Sequence, residues 1–300
     1  MESNDRIKLE EGKIYFFICY ALVCGGKSTF FEQIKSQTST EENKNKYNVK
    51  MVSSDQIRAD LSHDMQTKFP NKTFKECFDK VGKATAKEFD KQIQKAIDSK
   101  ENDKINIILV DKNYPQGIDR FMKLFCKDKT SQFFVVFIPN ITRPLNVAGL
   151  WFPFSLNYFI QCYLRLKNRH GHEVLNGEDE ESKLVYISFL KLFQNFDFHK
   201  KICSDANFSS NVYTQNIDFT DESKELEIDS ETEKFFENVM KKMRAFDMAN
   251  IKKNNENDII AYFKGLDDKY DGKNFFEDTR EKIKNEVTDL LVQRTHRILI

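Results

Sequence analysis

The amino-acid sequence predicts an α/β protein, a parallel sheet flanked by helices, with a helical appendage at its carboxyl-terminal end. Three observations carry that expectation. Short, almost purely apolar runs recur at residues 13–20, 105–110 and 133–138, as strands buried on both faces do. Segments with helical periodicity lie between them, the alternation that builds a parallel sheet. Beyond residue 220 the apolar runs cease and helical spacing continues alone.

Taken in order, residues 13–20 predict a central strand, and the pair Gly25 and Gly26 separates it from a helix running from Lys27 to about Ser36. A polar loop over 37–46 precedes a short strand near 49–52. The corner Ser53, Ser54, Asp55 then opens a charged helix. One long helix is expected over 74–99, with Phe78, Val81, Ala84 and Phe89 at helical intervals. The strand at 105–110 ends in Asp111, another spans 133–138, and a strand over 211–219 closes the sheet. The acidic stretch 221–230 leads into Ser230-Glu231-Thr232-Glu233, a capping-box pattern. Phe235, Val239, Met243 and Phe246 follow at helical spacing, then a polar gap over 252–258 and a last helix near 276–291. The expected organisation is a core domain over 1–220 and a helical appendage over 221–300.

With 300 residues, 40% of them hydrophobic, the chain has material for that core. Its 31% charged residues balance to a formal net charge of zero, so overall charge argues neither for nor against a nucleic-acid partner. Six cysteines sit mostly in apolar stretches and form no C-x-x-C pair, the pattern of reduced core thiols rather than of a disulfide frame or zinc site. The first residues are polar, without a signal-peptide core, and the apolar run 16–24 is too short to span a bilayer. A soluble, intracellular protein, nuclear or cytoplasmic and without membrane partners, is the expectation.

The stretch 21–28, Ala-Leu-Val-Cys-Gly-Gly-Lys-Ser, fits the phosphate-loop pattern G-x-x-x-x-G-K-[ST] with Ala21 in place of the first glycine. Such a loop points backbone N–H groups at the β- and γ-phosphates, so Gly26 is needed where the chain passes close to them. Lys27 then reaches the phosphates, Ser28 ligates Mg²⁺, and the helix start adds its positive end. Gly25 and Thr29 complete the expected nucleotide-binding set. The placement between a buried strand and a helix predicts a P-loop NTPase or kinase-like sheet that binds ATP or GTP with Mg²⁺.

The second half of a transfer site is read at residues 51–58. Asp55 follows the second strand and Arg58 lies one helical turn later, putting a carboxylate and a guanidinium on one side. The carboxylate suits a general base for an attacking hydroxyl, and the guanidinium fork suits an acceptor phosphate. The plain alternative is an Asp that caps the helix and an Arg on its solvated face.

With these motifs in view, the chain resembles phage-type 5′-hydroxyl polynucleotide kinases and, more closely, the kinase domain of fungal-type tRNA ligases. That domain joins a G-C-G-K-T-like loop, preceded by the same Ala, to a strand ending in Asp-Arg-Asn; here stand Cys24-Gly25-Gly26-Lys27-Ser28 and Asp111-Lys112-Asn113. The family's lid, an Arg, a second Arg a turn later, then His and Leu, is similar to the stretch containing Arg165, Arg169, His170, His172 and Leu175. The likeness covers about residues 13–220 and departs at Gly25, at Lys112 and at Tyr114-Pro115. It implies Lys27 and Ser28 on the β/γ-phosphates and Mg²⁺, Asp55 as general base and Arg58 on the acceptor phosphate. It further implies Arg165 and Arg169 as lid arginines over the donor phosphates, where closing cations would neutralise charge on the transferred group. Without the family, the 165–172 stretch reads as an amphipathic helix with a basic solvent face. Asp111, ending an apolar strand, suits Mg²⁺ held through water or a cap for the turn before Pro115.

Two further signals read as structural. Lys269-Tyr270-Asp271-Gly272 matches the K-x-D-G of nucleotidyl-transferring ligases, but too little chain follows it for an adenylation domain. Residues 151–154 read as a buried hydrophobic corner rather than a base-stacking platform. No His-x-Thr or His-x-Ser pair occurs, so a cyclic phosphodiesterase domain is not expected. The function expected is therefore transfer of an NTP γ-phosphate to the 5′-hydroxyl of an RNA end, such as a tRNA exon half, with ligase and phosphodiesterase on separate chains. The alternatives are a small-molecule kinase of the same fold and a nucleotide-binding scaffold without transfer chemistry.

Overall fold

The computed structural model describes residues 7–113, 117–139, 145–147, 150–169, 175, 177, 179–193, 210–217, 228–244, 248–270 and 277–292. Strand β1 (Ile14–Cys19) is buried at every residue. Its side chains alternate between two cores, as the period of a strand requires. Ile14, Phe16 and Ile18 face one core; Tyr15, Phe17 and Cys19 face the other. Strands β2 (Tyr47–Ser53), β3 (Ile105–Asp111), β4 (Gln132–Pro139) and β7 (Val212–Ile217) join β1 in a five-stranded sheet of order β2-β3-β1-β4-β7. All four pairings are parallel. A small antiparallel pair, β5 (Leu145–Val147) and β6 (Leu150–Phe152), stands apart from it.

Helix α1 (Lys27–Thr38) packs Phe30, Phe31 and Ile34 on one face of the sheet. The opposite face carries α2 (Ser54–Lys68), α4 (Gly82–Asp98) and α5 (Ile118–Phe125). The same core takes in α6 (Leu156–Lys167), α7 (Glu180–Leu192), α8 (Ser230–Arg244) and α9 (Met248–Lys269). The last helix, α10 (Glu277–Val292), returns to the first face and buries Ile283, Val287 and Leu291 beside α1. Helices on both faces cover the apolar sheet, which is why its central strands read as continuous hydrophobic runs.

Several expectations need correction. The long helix over 74–99 is two helices, α3 (Phe74–Lys80) and α4, broken at Val81, whose backbone turns through φ −83°, ψ 0°. Periodicity runs through the break, and Gly82, a poor helix former, lies just beyond it. The polar gap at 252–258 is helical, inside the 22-residue α9. In α8 the buried stripe is Phe236, Val239 and Met240, while Phe235 is 38% exposed. The strand expected over 211–219 is observed at Val212–Ile217, and Phe219 lies outside the described residues. Phe152 and Phe154 are buried, with Phe154 packed on Tyr20, Tyr158 and Phe193, so 151–154 is a hydrophobic corner. Lys269 ends α9 paired to Asp229, while Asp271 and Gly272 lie outside the described residues. Among the described residues the cysteines are free thiols, and no helix is long and apolar enough to cross a membrane.

Candidate nucleotide and acceptor cleft

β1 leads to α1 on one face of the sheet, whereas β3, its neighbour, leads to α5 on the other. The two connections diverge at the carboxyl ends of adjacent strands and open a crevice there, where ligands of open α/β sheets bind. A cleft of about 730 Å³ occupies this place.

Its floor is the loop between β1 and α1. Tyr20 ties the loop to β4 through its N–H on the Phe137 carbonyl (2.8 Å), and residues 20–23 are buried. Cys24 takes φ +61° and Gly26, just before α1, takes φ +90°. That left-handed geometry suits the glycine that the sequence places there. Tyr158 of α6 presses up from beneath: a methyl at Gly25 would collide with its hydroxyl and lie 2.8 Å from the Leu22 carbonyl oxygen. Among the described residues the buried Tyr158 hydroxyl has no partner at full hydrogen-bond geometry, and burial raises its pKa well above the usual range. The loop is thus seated on an aromatic base that sequence patterns do not reveal.

Lys27, Ser28 and Thr29 line the cleft with Gly25 and Gly26. The Lys27 ammonium forms an ion pair with Asp111, the last residue of β3, and both side chains are largely buried. Asp111 therefore faces the loop lysine across the crevice; the residues around Pro115 whose turn it was expected to cap lie outside the described residues. Lys112 points elsewhere, over the Phe89 ring of α4 at 4.8 Å, and burial lowers its pKa. Asn113 lines the cleft, with its Oδ1 buried and, among the described residues, unpartnered.

On the far wall Asp55 is exposed in the first turn of α2. Ser53, not Asp55, caps that helix, accepting from the Gln56 N–H at 3.4 Å. Arg58 also lines the cleft, but its Nε and Nη2 donate to the Phe78 carbonyl at 3.0 and 2.9 Å, and its guanidinium stacks on the Phe78 ring at 3.7 Å. Partial burial lowers its pKa, against the pull of Asp79 and Asp55. Arg58 is therefore neither on a solvated face nor a free fork; it fastens α3 to α2.

The third wall comes from α6 and the chain after it. Arg165 is 6% exposed and so does not lie on a solvent face; its Nη1 donates to the Cys24 carbonyl at 3.5 Å. Arg169 Nη1 lies 3.9 Å from Cys24 Sγ. Burial raises the Cys24 pKa, opposed chiefly by Arg169. The chain closes back at Gly177, whose N–H donates to the Arg169 carbonyl at 3.1 Å and where a Cβ would collide with the Lys167 carbonyl oxygen. His170 and His172 lie outside the described residues.

Opposite, Lys75 of α3 and Glu181 of α7 pair across the mouth. Sequence reasoning did not single out these residues, nor Asp79, Asp179 and Arg280, which also line the cleft. Each is an ordinary charged residue in or, for Asp179, just before a helix, and only the packing of α3, α7 and α10 brings it here. Among the described residues no group of three or more His, Cys, Asp or Glu side chains is placed to hold a metal ion. Compared with known proteins, the chain matches no family model and no curated protein.

Proposed function

We propose that the chain is an NTP-dependent kinase of the P-loop type that phosphorylates the 5′-hydroxyl end of RNA. The observation carrying this reading is that one cleft is lined by Lys27, Ser28, Asp55, Arg165 and Arg169, residues from three separate parts of the sequence, nominated by the phosphate-loop pattern, by the corner at 51–58 and by the family resemblance. In this reading the loop 21–28 cradles the β- and γ-phosphates of ATP or GTP, and Arg165 and Arg169, already at Cys24, neutralise the oxygens of the transferred group. Asp55 accepts the proton of the 5′-hydroxyl as its oxygen bonds to the γ-phosphorus. The bond from that phosphorus to the β–γ bridging oxygen breaks, and the nucleoside diphosphate leaves with the electron pair.

Ser28 and Asp111 would hold Mg²⁺, which supplies charge neutralisation between the phosphates. One hydroxyl and one carboxylate, both hard oxygen donors, fit an ion that takes few protein ligands and completes its shell with phosphate and water. Arg58, held on the Phe78 carbonyl, positions α3 along the acceptor wall. In this proposal the acceptors are 5′-hydroxyl ends such as tRNA exon halves.

The test is transfer of labelled γ-phosphate to a 5′-hydroxyl RNA oligonucleotide, run with ATP and GTP, with a DNA oligonucleotide and a free nucleoside as competitors. Failure of the wild type to transfer label with either nucleotide would sink the proposal. Asp55→Ala is expected to slow transfer by roughly 10²–10⁴-fold while nucleotide affinity stays unchanged. Competition by the free nucleoside as strong as by the oligonucleotide would favour a small-molecule acceptor instead.

A further inference from the structure

We infer that α10 forms the donor-side wall of the cleft and that Arg280, in its second turn, binds the donor nucleoside triphosphate; this rests on the kinase reading above. Four observations lead there. First, α10 is fixed along the phosphate-loop helix. Ile283, Val287 and Leu291 are buried in one core with Phe30, Phe31 and Ile34 of α1. Gln37 Nε2 donates to the Lys284 carbonyl (3.1 Å) and to Thr288 Oγ1 (3.0 Å), and the Tyr47 hydroxyl reaches the Leu291 carbonyl.

Second, those contacts set the register. Residues 284–288 meet the end of α1 and Leu291 meets Tyr47 beyond it, so the first part of α10, which holds Arg280, lies towards the beginning of α1, where Lys27, Ser28 and Thr29 stand. Third, Arg280 and Ile283 line the same cleft as Gly25, Gly26 and those three residues. Fourth, the other cations of the cleft have protein partners: Lys27 with Asp111, Arg58 with the Phe78 carbonyl, Lys75 with Glu181, and Arg165 and Arg169 at Cys24. Arg280 is exposed, and no carboxylate among the described residues pairs with it. A planar, permanently charged fork at the edge of a phosphate site matches a polyphosphate, and its five donors suit such oxygens better than an ammonium would.

The experiment measures affinity for Mg²⁺-ATP and Mg²⁺-GTP by calorimetry on the full chain, comparing wild type with Arg280→Ala, Arg280→Lys and Lys284→Ala. Lys284 is an exposed cation one turn further on and outside the cleft. Arg280→Ala is expected to weaken binding about tenfold or more, the scale of a lost charge-assisted hydrogen bond. Arg280→Lys should recover part of the loss, and Lys284→Ala should bind like wild type. Without nucleotide, Arg280→Ala should melt with the wild type, because its side chain is exposed. An Arg280→Ala protein that binds both nucleotides as tightly as wild type would overturn the inference, as would an equal loss in Lys284→Ala. Wild type that binds nucleotide through Arg280 yet transfers no phosphate to RNA would reject the acceptor assignment and leave Arg280 in place. Wild type that binds neither nucleotide would reject both.

Discussion

A methyl group added at Gly25 would meet the Tyr158 hydroxyl and approach the Leu22 carbonyl oxygen to 2.8 Å. Overpacking in such a site costs about 1–3 kcal/mol, so Gly25→Ala should lower the urea midpoint and weaken nucleotide binding together. Tyr158→Phe removes a buried hydroxyl that, among the described residues, has no partner at full hydrogen-bond geometry, and should be neutral or slightly stabilising. In the double variant part of the Gly25→Ala penalty should disappear, a coupling that a double-mutant cycle reads directly. Failure of the two changes to couple would mean that Tyr158 does not support the loop. At this scale the sequence nominated Gly26, Lys27, Ser28 and Asp55 by residue type at fixed spacing, and the four line one cleft. It was uninformative about orientation. Arg58 stands one turn from Asp55 as expected, but its fork is taken by a carbonyl twenty residues away, a partner that no local spacing encodes.

Elements with one dominant signal were legible. β1, β3 and β4 announced themselves because strands covered on both faces must be apolar throughout. The division between α3 and α4 did not, since the apolar period is nearly continuous across Val81 and a change of direction alters no residue type. The polar face of α9 hid its helical character for a related reason, with Asn and Lys over 252–256 weakening the apolar period. Within α9, Gly265 is exposed and a Cβ there would meet nothing within 4 Å. Gly265→Ala should therefore stabilise the protein by about 0.5–1 kcal/mol, read as a higher denaturation midpoint without change in slope. The turn before β4 carries the clearest acid dependence. Asp128 accepts from the Thr130 N–H and hydroxyl and from the Ser131 hydroxyl, which hold its pKa at about 2 against an ordinary 3.8. Because the folded value is the lower one, this contribution is complete above pH 3.8 and fades as pH falls through about 2. Asp128→Ala should be less stable than wild type at neutral pH, and the gap between their denaturation midpoints should close over that window.

For the whole molecule, the unexpected feature is how the helices after residue 220 distribute themselves. α8 and α9 enter the core on one face, through Phe236, Val239, Ile259 and Phe263, while α10 enters the other beside α1. Helical spacing identified α8 and α10 but not α9, and nothing in a helix's own sequence says which distant surface its apolar stripe will cover. Removal of residues 277–300 should uncover Phe30, Phe31 and Ile34 and forfeit the burial of Ile283, Val287 and Leu291. At about 1.5–3 kcal/mol for each buried side chain the loss is about 5 kcal/mol or more, comparable with the whole stability of a typical domain. The truncated chain should lose its cooperative thermal transition; a truncation that melts like the full chain would show α10 to be dispensable for folding.

The ion pair between Lys27 and Asp111 gives this cleft an internal competitor for any anion that enters it. Phosphate oxygens must win the ammonium away from a carboxylate a few ångströms off, and that carboxylate then repels them unless a divalent ion comes between. On the kinase reading, this pair would favour the metal-complexed nucleotide over the bare one. Asp111→Asn should reverse that order of preference, tightening the binding of nucleotide in chelator and blunting its response to added Mg²⁺, as parallel titrations with and without the ion would reveal.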